Sequence, residues 1–415
     1  LTNQAEDNLD AFLGPDFAPY YSSSSAAGGR RINRESVAYT TFDYAATGEQ
    51  QITDDLASTT SAGFQVYTKS IKDLTASGRR FPALGLSAVS ATGQDVSGSD
   101  GLVENNTVGV YLQQQFGWQD RFFVTGAVRA DDNSSFGEDF SLVYYPKVST
   151  SFVVNDALRL RAAYGESGQQ PDAFDALRSF TTRLSPTGGA TVTPLSPGNS
   201  ELGPERGVEI EAGFDATLFN GRVTVDFTYY DQTTKDAIVA RYVPPSTGFT
   251  GRQFVNIGEI NNRGIELGLG ARILESEGFA WDMDINMSTN KNEVTDLGLK
   301  EGDDGYLSLG WSTRHQVGYP VGSLFAPQVG FAQFIPGTDN IDKSTMTCDA
   351  SPGPGQGPIP NGSGVQVACD EAAWIYQGHP DPSLEASLSN SFSIGDRLTI
   401  SSLIQAKMGH TKYDL

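Results

Sequence analysis

From Val208 onward the apolar positions of the chain fall on one parity: Val208, Ile210, Ala212, Phe214, Ala216 and Leu218. The other parity carries Glu209, Glu211, Gly213, Asp215 and Thr217. Asn220-Gly221 follows, and Asn-Gly between two alternating runs is a strong hairpin signal. The return run sets Val223, Val225, Phe227 and Tyr229 on one face and Thr224, Asp226, Thr228 and Tyr230 on the other. Such alternation predicts two strands with one greasy and one charged face. Each run is about a dozen residues, roughly twice the usual globular strand and long enough to cross a bilayer at a tilt.

The pattern recurs. Paired runs are predicted at 36–46 with 57–70, at 107–118 with 122–131, and at 140–154 with 158–168. Two more follow at 261–274 with 279–292 and at 383–394 with 398–409. In the second pair Val108, Val110, Leu112, Phe116 and Trp118 share a face on which only Gln114 is polar. About twelve strands result, and the connections between them alternate in length. One set is short, near 47–56, 119–120, 155–157, 220–221, 275–278 and 395–397. The other is mostly long, at 71–104, 133–139, 169–205, 236–260 and 293–382, and residues 1–35 read as irregular.

Short turns on one rim and long loops on the other predict an all-β fold. It is an antiparallel transmembrane β-barrel with short periplasmic turns and long extracellular loops. Glu209, Glu211, Asp215 and Asp226 would then line the lumen, while Val223, Val225 and Phe227 would meet lipid. A soluble β-sandwich also alternates, but rarely needs strands this long or sorts its loops by parity. Trp118, Phe122 and Phe123, Phe219 and Phe227, and Phe279 and Trp281 gather near short turns, where an interfacial girdle belongs.

Composition narrows the picture further. Of the 415 residues 38% are hydrophobic, and no apolar run approaches the roughly 18 residues of a membrane helix. The formal charge of -22 argues against nucleic acid, because phosphates would go unneutralised. The two cysteines, Cys348 and Cys369, lie in a Pro/Gly-rich stretch. A disulfide between them is expected in an oxidising compartment, two unpaired loop thiols being the alternative. Two cysteines and three scattered histidines (His315, His379, His410) do not make a metal site.

Several strings resemble one family, the TonB-dependent outer-membrane receptors of the SusC/RagA type. Gly198-Asn-Ser-Glu-Leu-Gly-Pro-Glu-Arg206, followed by Glu209-Ile-Glu-Ala-Gly213, is similar to a family signature, with Gly203 where a basic residue is usual. Asn256-Ile-Gly-Glu-Ile-Asn-Asn-Arg-Gly-Ile-Glu266 resembles the lead into a following strand. Further similar blocks are Arg129-Ala-Asp-Asp-Asn-Ser-Ser-Phe-Gly137 with Tyr144-Tyr-Pro-Lys147, Val317-Gly-Tyr-Pro-Val-Gly-Ser-Leu-Phe325, and Gly378-His-Pro-Asp-Pro382. The resemblance implies a large barrel filled by an N-terminal plug. Twelve strands cannot enclose such a lumen, so the chain is expected to be an incomplete stretch of the barrel, with the plug and the last strands outside it.

No catalytic constellation emerges: Gly-x-Ser-x-Gly, His-Glu-x-x-His and the P-loop are all missing, so no enzyme and no cofactor are expected. Glu301-Gly-Asp-Asp-Gly305 and Asp131-Asp-Asn133 fall short of a full Ca²⁺ loop and read as solvated turns. Tyr306, Trp311, Trp374 and Tyr376, all in 293–382, are the candidate ligand-binding residues, since flat rings stack on sugars or pack against peptide side chains. They could equally hold the loop together or meet a partner protein.

The resemblance implies a transporter importing an oligosaccharide or peptide nutrient. Its partners would be outer-membrane lipid, the TonB energising complex acting through the plug, and a SusD-type surface lipoprotein capping the loops. The alternative is a structural or interaction component of a surface assembly without energised uptake. A soluble carbohydrate-binding β-protein has the least support.

Overall fold

The computed structural model describes residues 2–10, 28–138, 142–185, 187–249, 251–299, 305–310, 312–338, 340–350 and 365–412. The wall opens with β1 (Thr2–Asp10), β2 (Gly29–Thr53), β3 (Leu56–Arg79), β4 (Gln94–Trp118), β5 (Phe122–Asn133), β6 (Val143–Asn155) and β7 (Leu158–Gln169). A small hairpin, β8 (Ser179–Leu184) and β9 (Ala190–Ser196), stands apart from it. The wall resumes with β10 (Glu205–Leu218), β11 (Val223–Tyr242), β12 (Arg252–Ser276), β13 (Phe279–Thr289) and β14 (Lys291–Asp296).

An excursion then carries β15 (Tyr306–Gly310), β16 (Thr313–Gln316), β17 (Ser323–Ala326), β18 (Val329–Phe334), β19 (Ile341–Asp349), β20 (Gln366–Ala368) and β21 (Ile375–Gly378). The wall continues in β22 (Leu384–Ile394) and β23 (Leu398–Met408). It is one 14-stranded antiparallel sheet, open, with β1 and β23 at its ends and β14 paired to β12. Among the described residues no helix is long and apolar enough to cross a membrane.

Alternation in each strand becomes a continuous surface because register aligns it across the sheet. Trp118 faces Phe122, which faces Phe152, then Leu160, Phe214, Phe227, Leu267 and Met287. A one-residue slip in any pair would break this row. Leu112, Ile210 and Ile404 stay more than half exposed, so this face has no protein core to bury it. Over Val108–Trp118 the one polar side chain on it is satisfied: Gln114 accepts from the Thr60 hydroxyl at 2.5 Å and donates to Ser58 Oγ at 2.8 Å. An unpaired amide in that position would cost several kcal/mol in hydrocarbon.

The short turns lie where the alternation predicted them, with differences of detail. Gln119 and Asp120 both take positive φ, and Arg121 N–H bonds to Trp118 O at 3.0 Å. The two positive φ values are those of a primed turn, whose twist suits the strands, and with Trp118 paired to Phe122 the loop is 119–121. At the Asn-Gly site the turn is wider than two residues. Leu218 pairs with Val223, so Phe219 to Arg222 all lie in the loop, and Phe219 is 74% exposed. Phe123 departs from the girdle; its register partners are Gly117 and Ser151, which puts it on the polar face.

The larger corrections concern the other rim. Residues 71–79 and 94–104 are strand, continuing β3 and β4 as a paired ribbon, and the connection is only 80–93. Residues 2–10 and 29–35 are strand too, β1 pairing with the start of β2. Inside the stretch 236–260, β11 runs on to Tyr242 and β12 begins at Arg252. On the short-turn rim the 47–56 turn shrinks to Asp54-Asp55. All the long connections leave the sheet from the opposite rim, and the excursion stands on that one.

Candidate functional site

Two small sheets make up the excursion. One has the order β15-β16-β17-β21, the other β18-β19-β20. Cys348 on β19 and Cys369, just past β20, are joined in a disulfide that ties the second sheet's strands together.

The first sheet is built around an aromatic knot. Phe325 is 2% exposed and lies 5.2 Å from Tyr319 and 5.8 Å from Tyr376, ring centre to ring centre. Tyr319 and Tyr376 are themselves 5.2 Å apart. Burial pushes the Tyr376 phenol pKa up, partly offset by a hydrogen bond with Ser323. The Val317–Phe325 block makes this knot by turning back sharply. Its Gly318 N–H bonds to Val294 O and Val294 N–H to Tyr319 O, which pins the turn to β14.

Arg314 closes the knot. Its guanidinium carbon lies 3.6 Å from the Phe325 ring centre and 4.4 Å from that of Tyr306. The residue is only 8% exposed. Burial lowers its pKa, with Tyr306 acting the other way. Each ring contributes on the order of 1–2 kcal/mol to a desolvated cation. Nε and Nη2 of Arg314 are buried with no hydrogen-bond partner among the described residues. Next to it, the half-buried His315 accepts from Gly322 N–H through Nδ1 at 3.1 Å, and burial lowers its pKa below the ordinary 6.5.

Two cavities flank β15. One of about 470 Å³ is lined by Tyr306, Ser308, Ser312, Thr313 and Arg314 on one side and by Ala372, Ala373 and Trp374 on the other. The second, about 1140 Å³, lies between β15 and the tops of β11 and β12 and is mostly apolar, with Val239, Phe254, Leu297, Leu307 and Leu309 among its walls.

The expected ligand residues therefore separate. Tyr306 and the half-exposed Trp374 share the smaller cavity, while Tyr376 belongs to the knot. Trp311 lies outside the described residues, as does most of Glu301–Gly305. The Asp131 carboxylate accepts Arg129 Nε on both oxygens at 2.8 Å. Sequence reasoning missed Arg314, because Thr313-Arg314-His315-Gln316 has no apolar alternation to draw attention to it. Only the pairing of β16 with β17, Arg314 opposite Ser323, brings it onto Phe325.

Elsewhere on the same rim the asparagines of the quoted motifs lock backbone to backbone. Asn199 Nδ2 donates to Phe254 O at 3.0 Å. Asn256 accepts from Gly203 N–H through Oδ1 and donates through Nδ2 to Gly203 O and Asp236 O, all at 2.9 Å. Asn133 accepts from Asn105 and from the backbone and hydroxyl of the buried Ser135. These blocks are structural clasps that hold the long connections down on the wall.

The polar face carries the wall's charge. Arg161 on β7 reaches Asp215 on β10 at 3.2 Å and Asp226 on β11 at 2.6 Å. Lys407 meets Glu385 at 3.0 Å. This is the surface that the alternation assigned to a lumen.

Comparison with known proteins decides the family. The sequence model described as TonB-dependent receptor-like, β-barrel, matches residues 2–338. The chain belongs to that family. TonB-dependent receptor P26 of Formosa agariphila is 28% identical over 321 residues, covering 72% of this chain and 31% of the relative. TonB-dependent receptor SusC of Bacteroides thetaiotaomicron is 26% identical over 252 residues, 54% of this chain and 25% of SusC. Among solved structures, the RagAB peptide transporter superposes with a TM-score of 0.74 at 20% identity, over 98% of this chain and 44% of that one.

The chain thus spans less than half the length of these relatives. It is a wall segment of the SusC/RagA type of TonB-dependent receptor, an outer-membrane barrel. In such a receptor the exposed apolar rows are the lipid face and the ion-paired rows face the lumen. The family model and the curated relatives alike carry the description of TonB-dependent receptors.

Proposed function

We propose that the protein containing this wall imports an oligosaccharide or peptide across the outer membrane. The rim bearing the long connections faces outward, and residues 293–382 are an extracellular excursion that meets the ligand. Uptake is driven by the TonB complex acting through a plug in the lumen, and a SusD-type lipoprotein covers the rim. The chain itself does no covalent chemistry. The observation that carries this reading is the pairing of a lipid-facing band with a rim whose cavities are lined by Tyr306, Trp374 and their neighbours. The relative named TonB-dependent receptor SusC supports the TonB dependence, and the likeness to the RagAB peptide transporter supports the peptide reading.

Depletion of a mixed oligosaccharide and peptide hydrolysate by cells with and without the receptor tests it, with a TonB-deficient strain beside them. Loss of specific medium components should need both receptor and TonB. Equal depletion in all three strains would sink the proposal, and depletion that needs the receptor but not TonB would sink energised uptake.

A further inference from the structure

Arginines of the wall show how this protein uses the guanidinium edge formed by Nε and Nη2. Arg161 presents that edge to Asp215 and Asp226, and Arg129 turns its Nε on both oxygens of Asp131 and its Nη2 on Gln65. In Arg314 the same two atoms are buried and have no hydrogen-bond partner among the described residues, although the guanidinium also meets the Tyr306 phenol. Leaving two charged donors unsatisfied is costly, and a native structure rarely tolerates it without a use for them. The Phe325 and Tyr306 rings hold the guanidinium in place, so little freedom is left to lose when a partner arrives. The edge matches the two oxygens of a carboxylate, and the cavity beside it adds the hydroxyls of Ser308, Ser312 and Thr313 and the ring of Trp374.

We propose that Arg314 is the acid-recognition residue of the excursion, taking a carboxylate of the incoming ligand on its Nε–Nη2 edge while Tyr306 and Trp374 pack against the adjoining part. The inference rests on the uptake reading and narrows it: the ligand bears a carboxylate, as a uronic-acid sugar or a peptide C-terminus does. Nε and Nη2 are closed to solvent in the resting structure. Seating the acid moves residues 372–374, which form the cavity wall opposite β15 and β16. Binding is therefore coupled to a local rearrangement, with the disulfide at Cys369 anchoring the moving segment.

The test is calorimetric titration of the full-length receptor in detergent with two pairs of probes. One pair is trigalacturonate against neutral galactotriose; the other is a tripeptide with a free C-terminus against its C-terminal amide. Wild type should favour the acidic member of one pair by about tenfold to a hundredfold, the size of one charge-assisted bidentate contact. Which pair shows the preference identifies the source of the acid. Arg314→Met keeps the packing against Phe325 and should erase the preference, and Arg314→Lys should restore only part of it. No preference in wild type for either pair would overturn the proposal, as would a preference that survives in Arg314→Met. A lower melting temperature in Arg314→Met with unchanged binding would show that the role is structural, and would overturn it too. Cell uptake is read separately: TonB-dependent import of a neutral ligand, untouched by Arg314→Met, would remove the acid site and leave transport standing. Acid binding without import would do the reverse.

Discussion

Gly264 shows how much one position can decide. It lies where β12 changes partner, from β13 over Glu266–Ser276 to β14 over Glu259–Arg263. A Cβ at this point would run into the Thr289 carbonyl, which already accepts from the Tyr230 hydroxyl at 2.9 Å. Gly264→Val is expected to destabilise the wall by about 1–3 kcal/mol through overpacking against backbone that cannot give. Protease resistance of the membrane-inserted protein should fall accordingly, and an unchanged profile would remove Gly264 from this role.

His315 makes a pH-dependent counterpart in the excursion. Its depressed pKa means the unfolded segment takes up a proton at a higher pH than the folded one. The contribution of the neutral, Gly322-bonded ring is therefore complete above the ordinary 6.5 and is lost as pH falls from there toward the folded value. Hydrogen exchange across residues 313–326 should accelerate on going from about pH 7.5 to about pH 5.5. In His315→Gln, which keeps an acceptor without a titrating ring, it should not.

At the scale of elements, legibility followed the membrane. Where lipid imposes an apolar parity, as in Val108–Trp118 and Val208–Leu218, every strand and its face could be read from alternation. Beyond that band nothing requires alternation. Gln94–Asp100, rich in Ser, Gly and Asp, has no periodicity, yet it pairs with Leu74–Arg79 through the backbone ladder, with a Ser77–Ser97 hydroxyl contact across it. The same reason hid β1 and the start of β2. The hairpin β8–β9 and the sheets of the excursion were hidden by shortness, their strands running from three to nine residues.

The candidate site was half legible: Tyr306 and Trp374 stand out as aromatics in a polar loop, but Arg314 acquires meaning only from its neighbours in space. The disulfide binds one of these hidden elements. It closes a loop of 21 residues, which is on the order of 3 kcal/mol for the unit it ties. Cys348→Ser with Cys369→Ser should therefore leave the wall's melting unchanged while limited proteolysis between 341 and 368 speeds up markedly. Simultaneous loss of the wall would mean that the two sheets of the excursion are not independent of it.

For the molecule as a whole, the consequence of the register is that depth and side of the sheet, not residue type, set the cost of a substitution. Leu112 and Gln113 are neighbours in β4, six and five residues short of its turn end at Trp118. Leu112 is 52% exposed and faces Ala62 and Val128 on the apolar side. Gln113 faces Ser61 and Ala127 on the polar side. Arginine at Leu112 must place a charge in the hydrocarbon, at about 2–4 kcal/mol near the midplane. Arginine at Gln113 enters a water-filled lumen already holding Arg129 and Arg161, and should cost well under 1 kcal/mol. Denaturant titration of the two variants in lipid bilayers separates them directly. Because the formal charge and the sequence position are nearly the same, only a one-sided wall in lipid predicts a large difference. Equal destabilisation would mean that both faces see the same medium, and would refute the assignment of lipid to one and lumen to the other.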